Sequence, residues 1–343
     1  MTTTALAPIT LPANQPQQFY RGGAAIADLR GGGDDREYGP EDWVASTTTR
    51  FGQEQAGLSR LPDGRLLRSA VAQDPQGWLG RQHVDAFGDS TALLVKLLDA
   101  GQRLPVHCHP SDTFAQRHLG SRFGKTEAWI VVGTSGSNPV VHAGFREDVD
   151  EDVVRHWVST QDSSAMLDSL NEIRVRPGDA VHIPAGTPHA IGAGVFVVEL
   201  QQPTDFSVTL EWEGFLASAE AAFLGMDRER ALETVNRGGF DERTLRSLIT
   251  ETADRADPRV PLLAEQAAEF FRADRLRPGP GLDLEASFGV LVALEGSGTL
   301  RHGGGALDLR RGDTVVVPHG AGECRVEGDV TAVHCRPPQP RQH

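Results

Sequence analysis

The chain has 343 residues, 39% of them hydrophobic, with 38 glycines and 21 prolines, the composition of a turn-rich globular protein and not of a disordered one. A formal charge of −14, from 33 basic and 47 acidic side chains, argues against nucleic acid or an anionic membrane surface as a partner. No apolar run approaches the length of a membrane span, and the opening MTTTALAPITLPANQPQQFY has neither a basic start nor an apolar core. Cys108, Cys324 and Cys335 make no disulfide framework, so the expected compartment is the cytoplasm.

Residues 1–18 read as a flexible lead-in. Across 19–214 short strands are parted by turn signals: DGR at 63–65, GDS at 88–90, GTSGSNP at 133–139, RPGD at 176–179 and PAGTP at 184–188. Strands at this spacing predict a mainly β sandwich or barrel. The stretch 145–170 interrupts it and reads as one or two helices. The segment 215–276 carries helical spacing in FLASAEAAFLGM, RERALETVNRGG, DERTLRSLITETADR and PLLAEQAAEFFRADR. Strand character returns in 277–343. There Gly312, Pro318, Gly320 and Glu323 echo the spacing of Gly178, Pro184, Gly186 and His189, with glutamate where the first copy has histidine. No His-x-His precedes the second copy, which therefore reads as a degenerate module without a metal site.

The segment GQRLPVHCHP (101–110) places two histidines one residue apart. In an extended strand His107 and His109 share a face, while Val106 and Cys108 point the other way. In GKTEAWIVV (124–132) the shared face carries Lys125, Glu127 and Trp129, and VHIPAGTPHAIG supplies His189 just past a Pro-Gly turn. Three imidazoles and one carboxylate form a borderline donor set suited to Zn²⁺, Fe²⁺, Mn²⁺ or Ni²⁺. His142 and His182 belong to other faces or loops. The spacings G-x5-H-x-H at 101–109 and G-x5-P-x-G-x2-H at 178–189 resemble the two cupin signature motifs.

A closer resemblance runs through YGPEDWVAS (38–46), LLVKLLDA (93–100), LPVHCHPSDTFA (104–115), GKTEAWIVV, IPAGTPHAIGAG (183–194) and VVELQQPTD (197–205). In that order they resemble class I mannose-6-phosphate isomerases across about residues 19–212. The resemblance implies a cupin-type double-stranded β-helix barrel with helical insertions, a bound zinc and aldose–ketose isomerisation. Carried over position by position, it implies His109, Glu127 and His189 as metal ligands, with a fourth at His107, where the family usually has glutamine. The expected organisation is a metal-binding catalytic domain at 19–214, a helical segment at 215–276 and a degenerate cupin-like module at 277–343. The family's arginine-bearing segment after the last ligand stands here as DFSVTLEW (205–212), one residue shorter and without arginine. That favours a neutral or differently anionic sugar, whereas the rest of the frame favours a hexose 6-phosphate.

Aldose–ketose interconversion needs a proton carrier beside C1 and C2 and positive charge near their oxygens. The chain has only two lysines, Lys96 and Lys125, among its 33 basic residues. Lys125, beside Glu127, is the expected proton carrier. Lys96 is expected to point inward, anchoring the far end of the substrate or pairing with Asp99 or Glu41. Glu199 and Gln201 share a strand face and are candidates for binding sugar hydroxyls, with Asp205 on the following loop and Trp43 and Ser46 near the mouth. The expected partner is a small sugar or sugar phosphate. Three other readings stay open: an isomerase of a non-phosphorylated sugar, a non-catalytic sugar-binding cupin, and an iron-dependent dioxygenase.

Overall fold

The computed structural model describes residues 6–32 and 36–340. Three sheets, antiparallel throughout, carry the chain. The first runs Ile249–Glu251, Asp179–Ile183, Glu127–Thr134, Val195–Gln201, Leu94–Asp99, Glu41–Val44 in spatial order. The second runs Val208–Thr209, His107–Cys108, His189–Ile191, Val140–Phe145, Leu170–Arg174. The third is built on Gly289–His302 and Cys324–Arg336, which pair from Val290 opposite Cys335 to Arg301 opposite Arg325.

Burial explains the layering. The strand VFVVELQ (Val195–Gln201) is buried at every position, which requires cover on both faces. Its odd positions, Val195 and Val197, join Trp129, Val131, Val181 and Ile183 in a core shared with Val141, Ala143 and Ile191 of the second sheet. Its even positions, Phe196, Val198 and Leu200, join Val95, Leu97 and Ile130 against Phe271, Val290, Val292 and Val333 of the third sheet. Continuing the odd face along the strand places Glu199 and Gln201 on the inner side. The outer face of the second sheet, with Cys108, Ala190 and Val208, packs on Glu151–Thr160, Ser163–Ser169 and residues 219–235. Cys108 therefore belongs to a core and not to the histidine site.

The fold is mainly β with a cupin architecture, but the expected closed barrel is absent: among the described residues the first two sheets face one another without a ladder joining their edges. The second sheet is short at one end. His107–Cys108 and Val208–Thr209 are two-residue strands, and Pro105 and Pro110, which lack the N–H a ladder needs, flank the former. The sandwich stays open there.

Local structure departs from expectation at several other places. The pair of helices within 145–170 is present as Glu151–Thr160 and Ser163–Ser169. Short helices at Leu67–Gln73, Pro75–Leu79 and Arg81–Phe87 stand where strands were expected, the second opened by Asp74, whose carboxylate accepts from Gly77 N. The helical spacing of 215–276 yields only Arg228–Leu232 and Glu242–Leu248 as α-helices. Its remainder includes 3₁₀ turns at 219–223 and 265–269 and the strands Ile249–Glu251, Arg259–Pro261 and Arg272–Leu276. The last two join the third sheet, so that sheet begins before residue 277. The lead-in is tied down as well: Ile9 and Thr10 pair with Val316 and Val315, and Leu11 is buried. No helix among the described residues is long and apolar enough to cross a membrane.

Candidate metal centre and active site

The histidines meet because the strands that carry them are paired. His107 stands directly opposite His189 in the ladder, and Gly186 N, in the PAGT turn, donates to His109 O at 2.7 Å. The three rings place one nitrogen each within 4.8 Å of one another. In every ring Nδ1 faces a main-chain carbonyl: Pro105 at 2.8 Å for His107, Phe206 at 2.8 Å for His109 and Thr187 at 2.7 Å for His189. A carbonyl only accepts, so each Nδ1 carries the hydrogen and each Nε2 presents a lone pair inward. Burial, reinforced by the His189 and His109 rings, holds His107 well below the ordinary imidazole value. Burial and the Lys125 charge bring His109 down to about 3.

Neutral rings with bare nitrogens pointing at one another are unfavourable unless a cation lies between them. His107 Nε2 and His189 Nε2 are 3.0 Å apart. Glu127 closes the set, with Oε2 3.0 Å from His109 Nε2 and Oε1 3.2 Å from His189 Nε2. Trp129 Nε1 steadies that carboxylate by donating to Oε1 at 3.1 Å, while buried Oε2 has no well-directed hydrogen bond. Burial opposes the charge of Glu127, but the Lys125 ammonium beside it outweighs burial and holds the carboxyl well below the usual range. A divalent ion fits this donor set.

Around the histidines lies a buried alternation of charge. Lys125 Nζ sits 2.7 Å from Glu127 Oε2, 2.9 Å from His109 Nε2 and 3.9 Å from Glu199 Oε1. Its placement depends on Gly124, where a Cβ would meet Pro110 O at 2.3 Å, while Lys125 N donates to that same carbonyl. Lys96 Nζ lies 3.3 Å from Glu41 Oε2 and 3.7 Å from Glu199 Oε1, over the Trp43 ring at 4.7 Å. Glu41 also accepts from Tyr20 Oη, Gln18 Nε2 and Trp43 Nε1. Burial raises the Glu199 carboxyl to about 7, with Glu127 and Glu41 adding to the rise and the two lysines opposing it.

A cavity of about 230 Å³ opens onto this cluster, lined by Glu41, Lys96, His107, Lys125, Glu127 and Glu199. Asp205 is at its edge, accepting from Phe51 N at 3.0 Å. Gln201 is buried just beyond, its amide donating to Thr204 O. Leu216, Ala221 and Leu224 supply part of the wall. Lys96 pairs with Glu41 and not with Asp99, which faces the other side and accepts from Gly23 N and Ala25 N. Ser46 turns into its own loop, donating to Thr48 O, and Trp43 packs beneath Lys96. His142 and His182 stand apart from the cluster. Sequence reasoning named Glu41 as one possible partner of Lys96 but did not find Tyr20, or Arg50 and Phe51 at the mouth. The loop residues offered no local signal.

A mainly β cupin fold with a largely buried three-histidine cluster between its first two sheets is the class that fold and site define. A family model described as the mannose-6-phosphate isomerase cupin domain matches residues 279–337, within the third sheet. The mannose-6-phosphate isomerase of Bacillus subtilis (strain 168) is 26% identical over 286 residues, covering 81% of this chain and 85% of that protein. That of Streptococcus mutans is 31% identical over 176 residues, covering 50% and 52%. Among solved structures, the Bacillus subtilis mannose 6-phosphate isomerase superposes with a TM-score of 0.74 at 22% identity, covering 96% of this chain and all of that one. The apo form of the Salmonella typhimurium enzyme gives 0.72 at 14% identity, covering 97% and all of that chain. The chain is thus similar in sequence and in fold to mannose-6-phosphate isomerases.

Proposed function

We propose that the protein is a metal-dependent aldose–ketose isomerase acting on mannose 6-phosphate, fructose 6-phosphate or a related sugar phosphate. One observation carries this reading: a buried lysine, Lys125, lies 2.7 Å from Glu127 beside three inward-facing imidazole nitrogens, with a carboxyl raised to about 7 within 4 Å. His107, His109, Glu127 and His189 would hold the ion, zinc in the first instance, with Mn²⁺, Fe²⁺ or Ni²⁺ compatible with the same donors. When bound, the ion supplies positive charge to the reacting sugar oxygens.

The residues do the rest. Isomerisation takes a proton from C2 and returns one to C1, while a second moves between the two oxygens. Glu199, with a carboxyl near 7, can hold or release a proton at neutral pH. Lys125 places an ammonium on the same cavity wall and serves as the second carrier. Lys96, clamped by Glu41 and Glu199 over Trp43, is a fixed cation that orients Glu199. Gln201 and Asp205 are placed to meet hydroxyls further along the sugar. The buried wall restricts water and keeps the proton exchange local.

The test is an assay of ketose formation from free and phosphorylated aldoses, on protein stripped by a chelator and reloaded with single metals. Conversion of mannose 6-phosphate that disappears on stripping and returns with one ion is expected. No ketose from any member of the panel, with the metal site filled, overturns the proposal. A neutral hexose is the second reading, favoured by the four carboxylates, Glu41, Glu127, Glu199 and Asp205, that line the cavity. A tenfold higher kcat/KM for mannose than for mannose 6-phosphate would reverse the order.

A further inference from the structure

The cavity's cations are not equivalent. Lys96 is consumed by Glu41 and Glu199, and Lys125 by Glu127. Arg50, the third cation of the lining, has no carboxylate within ion-pair distance among the described residues. Its guanidinium gives one hydrogen bond, from Nη1 to the Gln17 carbonyl, which leaves most of its five donors free. The side chain is half-buried. Its main chain is pinned on both sides: Arg50 N donates to Ala56 O at 2.8 Å, and Gln53 N donates to Arg50 O at 3.0 Å. The next residue, Phe51, binds Asp205 through its N–H, so the loop is tied to the segment that follows the last histidine.

Beyond Arg50 the space continues. A second hollow of about 410 Å³ shares Arg50, Phe51 and Asp205 with the first and is edged by Thr47, Thr49, Ser121, Arg68 and Asp89. Arg50 thus stands between the reacting end, where both lysines are already paired, and this second hollow. A half-buried guanidinium without a counter-ion is matched by a bidentate anion.

Resting on the sugar-phosphate reading above, we propose that Arg50 receives the phosphoryl group of the substrate, at the end remote from the histidines, and so sets the preference for phosphorylated over free sugar. DFSVTLEW contains no arginine to do this; the charge comes instead from the neighbouring loop, which Phe51 N ties to Asp205. Charged hydrogen bonds of this kind are worth enough to change affinity by about tenfold or more.

The experiment compares kcat/KM for mannose 6-phosphate and mannose in metal-loaded wild type, Arg50→Met and Arg50→Lys, with Arg81→Met, on an exposed helix, as control. The expected result is a fall of at least about tenfold in the phosphorylated-to-free ratio for Arg50→Met, part of it restored by Arg50→Lys, and none for Arg81→Met. An unchanged ratio, or an equal fall for both sugars, overturns the assignment. Should wild type convert no phosphorylated sugar, the proposed function fails, and inorganic phosphate then decides for Arg50. Saturable binding that weakens at least about tenfold in Arg50→Met sustains the assignment, while equal binding, or none to wild type, overturns it.

Discussion

At the scale of single residues, the site is a set of lone pairs and ammonium groups whose positions are dictated by partners one bond further out. Each histidine is oriented by a carbonyl on Nδ1, so replacing a ring removes a donor without disturbing its neighbours' tautomers. His109→Ala combined with His189→Ala is expected to abolish metal content measured by elemental analysis; full occupancy would sink the ligand assignment. Lys125→Arg keeps the charge and loses the compact amine. It is expected to lower kcat by about a hundredfold or more with metal content intact, and near-normal kcat would return Lys125 to an ion-pairing role. These residues were legible because period-two alternation decides which side chains share a strand face. Lys125 and Glu127 were placed together on that ground alone. The direction of Lys96 was legible too, but the choice between Asp99 and Glu41 was not: Glu41 comes from another strand, and the register of Trp43 opposite Lys96 brings it there.

At the scale of elements, sequence signals succeeded where one local rule governed and failed where tertiary contacts overruled it. AEQAAEFFRADR has strong helix formers, yet its end enters the strand paired with Cys324–Arg336, with Ala273 buried in that strand and Phe271 buried just before it, and that burial outweighs propensity. The helices at 67–87 are five to seven residues long, too short for periodicity to show. The turns were read well because glycine there has a single physical cause. Gly124→Ala forces a Cβ against the Pro110 carbonyl, so the loop must shift and take Lys125 with it. Expected is a loss of kcat with metal still bound, together with a lower Tm; wild-type kcat in this variant would show that the close approach does not position Lys125.

At the scale of the molecule, the first and third sheets share one core, so the two modules are not independent. Phe271, fully buried between them, should cost about 3–5 kcal/mol when truncated to alanine. Denaturation should remain a single transition by fluorescence and circular dichroism, and two separated transitions would show that the modules unfold apart. His182 lies in the same interface, its ring centroid 6.4 Å from that of Phe270 and its Nε2 unpartnered. Burial alone brings it down to about 4, against about 6.5 in an unfolded chain. Because the folded pKa is the lower one, this residue's contribution is whole above pH 6.5 and is lost as the pH falls from there toward 4, by roughly 3 kcal/mol at the lower end. His182→Leu should therefore flatten the decline of stability between pH 6.5 and 4.5, measured by urea titration at each pH; a slope equal to wild type would refute it. Which strands and side chains make this interface was not legible beforehand, since strands covered on both faces look alike whatever covers them.

The pairing of Ile9 and Thr10 with Val316 and Val315 has a consequence for how the protein is made. Ile9–Thr10 is an edge strand of a sheet whose other members lie about 250 residues or more further along the chain. At roughly 5–20 residues per second, the stretch between those partners takes on the order of 15–60 s to synthesise. For that interval the start of the chain has no sheet to join, while the strands of the first module can already pair. Pairing of Ile9–Thr10 into the third sheet therefore comes after the strands of the first sheet have been made.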